Sequence, residues 1–282
     1  MNSILKIDDL HLEVRRDHLA NSVLSGVDLS IKIGEIHGLV GNSGAGKSML
    51  AKAVLGILPA ATRIRNGVIN FDGKDITRLD RKQRRHLASR HIAMIPQDPM
   101  TSLNPVRRVG KQVCDVLQLH MGMDRRKAQQ ETQRLLDHVQ IREPETVVRK
   151  YPFELSGGMR QRVLIAIAFS CKPELIIADE PTTALDVTVQ RQILQLIKQL
   201  QMNSPTALLF ISHDLGVVAK ICDRISIMQS GRIVECQTAE SLFNEPQHAY
   251  TQSLLETISK YYRFDRDTNP HSETPAEHND HA

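Results

Sequence analysis

The chain has 282 residues with 36 Lys+Arg against 32 Asp+Glu, a formal charge of +4, 41% hydrophobic residues, four Cys and no Trp. That balance describes a soluble globular protein of one large or two modest domains and excludes a disordered or fibrous chain, while the small charge demands no nucleic-acid partner. No apolar run approaches the roughly 18 residues of a bilayer span, Met1–Asp9 lacks a signal-peptide pattern, and the singly spread cysteines offer neither a disulfide framework nor a zinc site. The expectation is a cytoplasmic chain.

From Ile4 to Ile33 apolar and polar residues alternate with period two, the pattern of half-exposed antiparallel strands, and Gly34-Glu35 marks a turn. Ile36-His37-Gly38-Leu39-Val40 reads as a mostly apolar strand that runs into a glycine-rich loop and then a helix over Met49–Leu58. Gly67–Gly73 reads as another strand with a turn. Polar helical segments fill much of residues 78–150, which predicts a helical subdomain. Buried strands return at Leu175–Ala178 and Ala207–Ile211 around a helix at Val187–Gln201, the arrangement of a parallel sheet covered by helices. Two short strands, Ile225–Met228 and Arg232–Glu235, flank the turn Ser230-Gly231. From Arg263 only Phe264, Ala276 and Ala282 are apolar, so residues 263–282 read as a disordered polar tail.

Gly41-Asn42-Ser43-Gly44-Ala45-Gly46-Lys47-Ser48 satisfies G-x-x-x-x-G-K-[ST] between a strand and a helix. Its glycines let backbone N–H groups converge on phosphate oxygens, Lys47 brings a cation to the β- and γ-phosphates, and the Ser48 hydroxyl suits Mg²⁺. The strand Leu175–Ala178 ends in Asp179-Glu180. Asp179 is placed to hold Mg²⁺, generally through water, and Glu180 to orient or deprotonate an attacking water. Ser156-Gly157-Gly158-Met159 precedes a helical run, with Ser156 as N-cap; taken alone it reads as a plain loop before a helix, and the alternative is a second anion site made by its free N–H groups.

Together these segments resemble the nucleotide-binding subunits of ATP-binding-cassette proteins, as do Pro181-Thr182, Ala184-Leu185-Asp186 and Ser212-His213-Asp214. The resemblance spans about residues 3–260 and implies an α/β P-loop NTPase cassette with a parallel-sheet core, an N-terminal antiparallel β subdomain and a helical subdomain inserted at about 98–165. It implies ATP and Mg²⁺ as cofactors and head-to-tail pairing with a second cassette, so that Ser156, Gly157 and Gly158 serve the opposite nucleotide. Gln97 matches the glutamine that touches Mg²⁺ and the water, His213 the switch histidine at the γ-phosphate, and Asp186 the aspartate of the loop crossing the dimer interface. His18 stands where the family stacks an aromatic on adenine, and Met159 stands where many members have glutamine.

Gln97-Asp98-Pro99-Met100-Thr101-Ser102-Leu103-Asn104-Pro105 resembles the corresponding stretch of dipeptide, oligopeptide and nickel importers. Tyr151–Arg162 and Pro246-Gln247-His248-Ala249-Tyr250-Thr251 point the same way. The compact length and Leu55–Ala60 favour the nickel members, with peptide import as the alternative; His271, His278 and His281 offer a transient nickel contact at most. The implied partners are two transmembrane permeases, a second identical or related cassette and, indirectly, an extracytoplasmic solute-binding protein. No nucleic acid is implied, and the implied place is the cytoplasmic face of the inner membrane. A soluble cassette acting in translation or DNA repair is the rival. The basic clusters Arg78–Arg90 and Arg125–Lys127 read as solvated helical faces.

Overall fold

The computed structural model describes residues 2–16, 19–183 and 185–257. The predicted tail, with its three histidines, and His18 lie outside them. The strands are β1 (Ser3–Arg16), β2 (Leu19–Lys32), β3 (Ile36–Val40), β4 (Thr62–Phe71), β5 (Lys74–Asp75), β6 (Ile92–Ile95), β7 (Leu175–Asp179), β8 (Ala207–Ser212), β9 (Arg224–Gln229) and β10 (Arg232–Thr238). The helices are α1 (Lys47–Leu55), α2 (Arg81–His91), α3 (Pro99–Ser102), α4 (Val109–Met121), α5 (Arg125–His138), α6 (Pro144–Val147), α7 (Gly157–Ser170), α8 (Val187–Met202), α9 (Leu215–Ala219) and α10 (Ala239–Asn244). A further helix covers 249–257. None of the described helices is long and apolar enough to cross a membrane.

Among the described residues the strands form two sheets, one ordered β2-β1-β4-β5 and one ordered β10-β9-β3-β8-β7-β6. The first is antiparallel, as the period-two pattern predicts. In the second, β9, β3, β8, β7 and β6 run parallel and β10 closes the edge as a hairpin on β9. Ser230 and Gly231 both take positive φ, 47° and 78°, the backbone that a two-residue hairpin turn requires.

The parallel strands are buried on both faces, which is why they read as continuous apolar runs. On β7, Ile176 and Ala178 face a core built with α4, α5, α7 and α8, while Leu175 and Ile177 face α1 and the antiparallel sheet. On β8, Leu208 and Phe210 join the first core, and Leu209 and Ile211 the second. Each Leu, Ile and Phe side chain among these contributes about 1.5–3 kcal/mol of burial, so the middle of the sheet is a rigid platform for the loops at its ends.

Helices α3 to α7 stand between β6 and β7 and pack on one another as a helical lobe. The helical reading of residues 78–150 needs one correction: α2 precedes β6 and packs on α1 rather than joining that lobe. Arg84, expected on a solvated face, is buried on α2, with its aliphatic stem pressed against Gly56. Helix α1 ends three residues short of the predicted Leu58, because Gly56 adopts φ 71° and turns its N–H back onto the carbonyls of Lys52 and Ala53.

Candidate nucleotide-binding site

Four neighbouring strands of the larger sheet, β3, β8, β7 and the edge strand β6, each deliver a predicted site residue at their carboxyl ends, where ligands bind in open α/β sheets. Gly41 follows β3, Gln97 follows β6, Asp179 ends β7 and Glu180 follows it, and His213 follows β8. A cleft of about 790 Å³ opens over these ends, lined by Val23, Asn42 through Met49, Gln97, Glu180 and His213.

The phosphate loop has its shape from close packing and backbone freedom. A side chain at Gly41 would bring its Cβ within 2.1 Å of the Met228 carbonyl oxygen. Gly46 sits at φ 107° as N-cap of α1, a left-handed conformation that glycine adopts without steric penalty. Lys47 is buried, and its ammonium donates to the carbonyls of Gly41 (2.6 Å) and Asn42 (3.1 Å). Burial pulls its pKa down, opposed by the nearby Glu180 and Asp179 carboxylates.

The Ser48 hydroxyl donates to Asp179 Oδ1 at 3.2 Å, which puts two oxygen ligands of the kind Mg²⁺ prefers side by side. Burial pushes the Asp179 carboxyl up; Glu180 adds to that, whereas Ser48, Lys52 and Lys47 oppose it. A buried carboxylate beside another carboxylate is the environment a bound cation relieves, so these residues fit the metal that the sequence implied.

Glu180 holds φ at 47°, a region costly for a side-chain-bearing residue, and its N–H donates to the Ile211 carbonyl at 2.9 Å. Three groups gather on its Oε2: Gln97 Nε2 at 3.0 Å, Thr183 Oγ1 at 3.1 Å and His213 Nδ1 at 3.2 Å. Among these, Thr183 escaped the sequence reading. Its signal is its place three residues after Glu180, within one turn.

The remaining predicted residues lie elsewhere. Ser156 caps α7, its hydroxyl accepting the Met159 N–H at 3.2 Å, and Asp186 caps α8 by accepting the Val189 N–H at 2.9 Å. Neither they nor Gly157 and Gly158 line the cleft. Val23 of β2 and Met49 of α1 line it without having been expected. Val23 comes from the antiparallel sheet, and only tertiary structure carries it to the phosphate loop.

Residues 24–183 match the family model described as ABC transporter. A relative from Escherichia coli strain K12 named "probable D,D-dipeptide transport ATP-binding protein DdpD" is 46% identical over 92% of this chain and 79% of its own length. The oligopeptide transport ATP-binding protein OppD of Salmonella typhimurium is 44% identical over 92% of this chain and 77% of its own. The solved dimer of the ATP-binding cassette MJ0796 bound to ADP and Pi superposes with a TM-score of 0.75 at 25% identity, covering 83% of this chain and 98% of that one. With the phosphate loop, the paired carboxylates and the cassette sheet in place, this chain belongs to the ABC transporter family as an ATP-hydrolysing, ATP-binding subunit.

Proposed function

We propose that the chain binds ATP with Mg²⁺ in the cleft at the strand ends and hydrolyses it to energise a peptide-class importer. The observation that carries the catalytic reading is the convergence of Gln97, Thr183 and His213 on one oxygen of Glu180 beside the phosphate loop. In this reading the loop N–H groups and Lys47 bind and orient the phosphates. Glu180, held by its three partners, accepts the proton of the attacking water. His213 and Gln97 sense the γ-phosphate side of the cleft. Ser48, Asp179 and Gln97 hold Mg²⁺, which when bound supplies charge neutralisation to the phosphates.

Ser156, Gly157, Gly158 and Asp186 lie away from this chain's own cleft, which supports their serving the nucleotide of a second, facing cassette. The boundaries 3–260 for the cassette and about 98–165 for the helical lobe go with that reading, as does a place at the cytoplasmic face of the inner membrane. Two permease subunits would meet the region of residues 98–106 and Phe153, where Met100 (54%), Val106 (79%) and Phe153 (66%) are exposed. Exposed large apolar side chains are a docking feature, and Phe153 stacks on Tyr151, over whose ring Arg108 lies.

For the transported solute, peptides are favoured over nickel because the relatives above are named for dipeptide and oligopeptide transport. The nickel reading rests on compact length and the Leu55–Ala60 segment alone. Uptake of labelled dipeptide and of Ni²⁺ in cells with and without the gene decides between them. Loss of dipeptide uptake alone supports the proposal; loss of Ni²⁺ uptake alone overturns it.

A further inference from the structure

The chain returns to the phosphate loop from far along the sequence. Glu235 of β10 is buried and accepts the Gln247 N–H at 2.8 Å and the His248 N–H at 3.1 Å, one on each carboxylate oxygen. These are donors just ahead of the helix 249–257, so the carboxylate fixes where that helix starts. Burial alone would raise the Glu235 carboxyl, but the Gln247 N–H, the Thr251 side chain, the His248 N–H and the Gln237 amide outweigh it and hold it below the usual glutamate range. On the helix, Tyr250 and Leu254 are four residues apart, one turn, and pack with Phe243 on the larger core. The ring is thereby held, and its hydroxyl oxygen accepts the backbone N–H of Asn42 at 3.2 Å, across 208 residues.

That N–H belongs to the Gly41–Asn42 peptide unit, and the carbonyl of the same unit, Gly41 O, is the closer acceptor of the Lys47 ammonium at 2.6 Å. A peptide unit is planar, so fixing its N–H fixes its C=O. The Asn42 carbonyl, one unit on, accepts both Lys47 and the Ala45 N–H. We propose that Tyr250 is a positioning residue of the nucleotide site: by anchoring the Gly41–Asn42 peptide it sets the loop and the Lys47 ammonium in the geometry that receives phosphate, and so couples the segment 246–257 to ATP affinity. This rests on the reading of the cleft as the ATP site. Preorganisation of this kind acts on binding rather than on the chemical step.

The test is steady-state ATPase kinetics of the full chain, with hydrogen exchange at the Asn42 amide. Tyr250→Phe keeps the apolar packing and removes the acceptor. The expected result is a KM for ATP raised about three- to ten-fold, the scale of one lost neutral hydrogen bond, with kcat and melting temperature near wild type and faster exchange at Asn42. Glu235→Gln weakens the same anchor from behind and should shift KM in the same direction. It serves as the readout if the Phe variant folds poorly. Lys47→Ala separates the two readings. If it leaves ATP binding intact, the cleft is not the ATP site and both fall. If it abolishes binding while Tyr250→Phe and Glu235→Gln leave KM and Asn42 exchange unchanged, or lower kcat alone, the role of Tyr250 falls by itself.

Discussion

Gln97 donates to Glu180 Oε2 at 3.0 Å, joining the residues that follow β6 and β7 across 83 positions of sequence. The carboxylate is therefore held from three sides while its own backbone stays in a strained left-handed turn. Glu180→Gln keeps the size and can still meet these partners through its amide, but it cannot take a proton. Turnover should fall by about 10²- to 10⁴-fold with ATP affinity retained. Phosphate release and equilibrium nucleotide binding measured on one preparation check this, and turnover equal to wild type would falsify the catalytic role.

Asp179 makes a separable prediction. Its carboxylate is buried next to Glu180, and that burial, more than any single neighbour, raises its pKa. Asp179→Asn removes an unfavourable buried charge from the nucleotide-free protein yet also removes a hard oxygen ligand. The melting temperature should stay level or rise, whereas the Mg²⁺ concentration for half-maximal turnover should increase at least about ten-fold. Chelating Mg²⁺ should stop turnover of the wild type altogether. A melting temperature well below wild type would show that Ser48 and Asp179 serve the fold rather than a metal.

Gly41 tests the phosphate loop through packing. An added methyl would meet the Met228 carbonyl oxygen at 2.1 Å, a backbone atom of β9 that cannot rotate away. Gly41→Ala should cost about 1–3 kcal/mol of stability and distort the carbonyl that holds Lys47. Gly44→Ala offers a contrast. It meets no atom within 4 Å but is strained by φ 81°. Denaturant melts should place Gly41→Ala below Gly44→Ala; the reverse order would mean that local strain outweighs the clash.

How far the sequence reached follows from the range of the forces involved. The phosphate loop, Asp179 and Glu180 at the end of β7 and the cap at Ser156 are local: spacing of a few residues decides them. The strands of the parallel sheet were legible because burial on both faces leaves an unbroken apolar run. Arg84 was misread because a charged helix with low hydrophobicity gives no sign that one guanidinium turns inward over Gly56. Val23 and the Tyr250 contact were hidden for a different reason. Each depends on bringing together segments whose pairing is set only by the tertiary fold.

Beneath the strand that feeds the phosphate loop lies a buried polar cluster with its own pH signature. His37 is fully buried on β3; Nδ1 faces Glu35 Oε1 at 3.1 Å and Nε2 faces Ser226 Oγ at 2.8 Å. Arg224 lies 3.3 Å from the same Glu35 oxygen and 3.2 Å from the Cys236 sulfur. Burial would lower the His37 pKa, but Cys236 and Glu35 overcome it and raise it above the ordinary 6.5. Burial would raise Glu35, yet His37, the Lys32 N–H and Arg224 bring it below the ordinary 4.5. The signs then differ. The His37 contribution is complete below pH 6.5 and is lost as pH rises through its raised value. The Glu35 contribution is present above pH 4.5 and is lost as pH falls through its lowered value. Melting temperature should therefore be highest between these limits and decline on the alkaline side, and His37→Gln should flatten that decline. Cys236→Ser belongs in the same series: burial would raise the thiol, but His37, Ser226 and Arg224 bring it below the ordinary 9.0, so its contribution grows as pH rises and opposes the alkaline decline. An alkaline decline that persists unchanged in His37→Gln would assign the titration to another group.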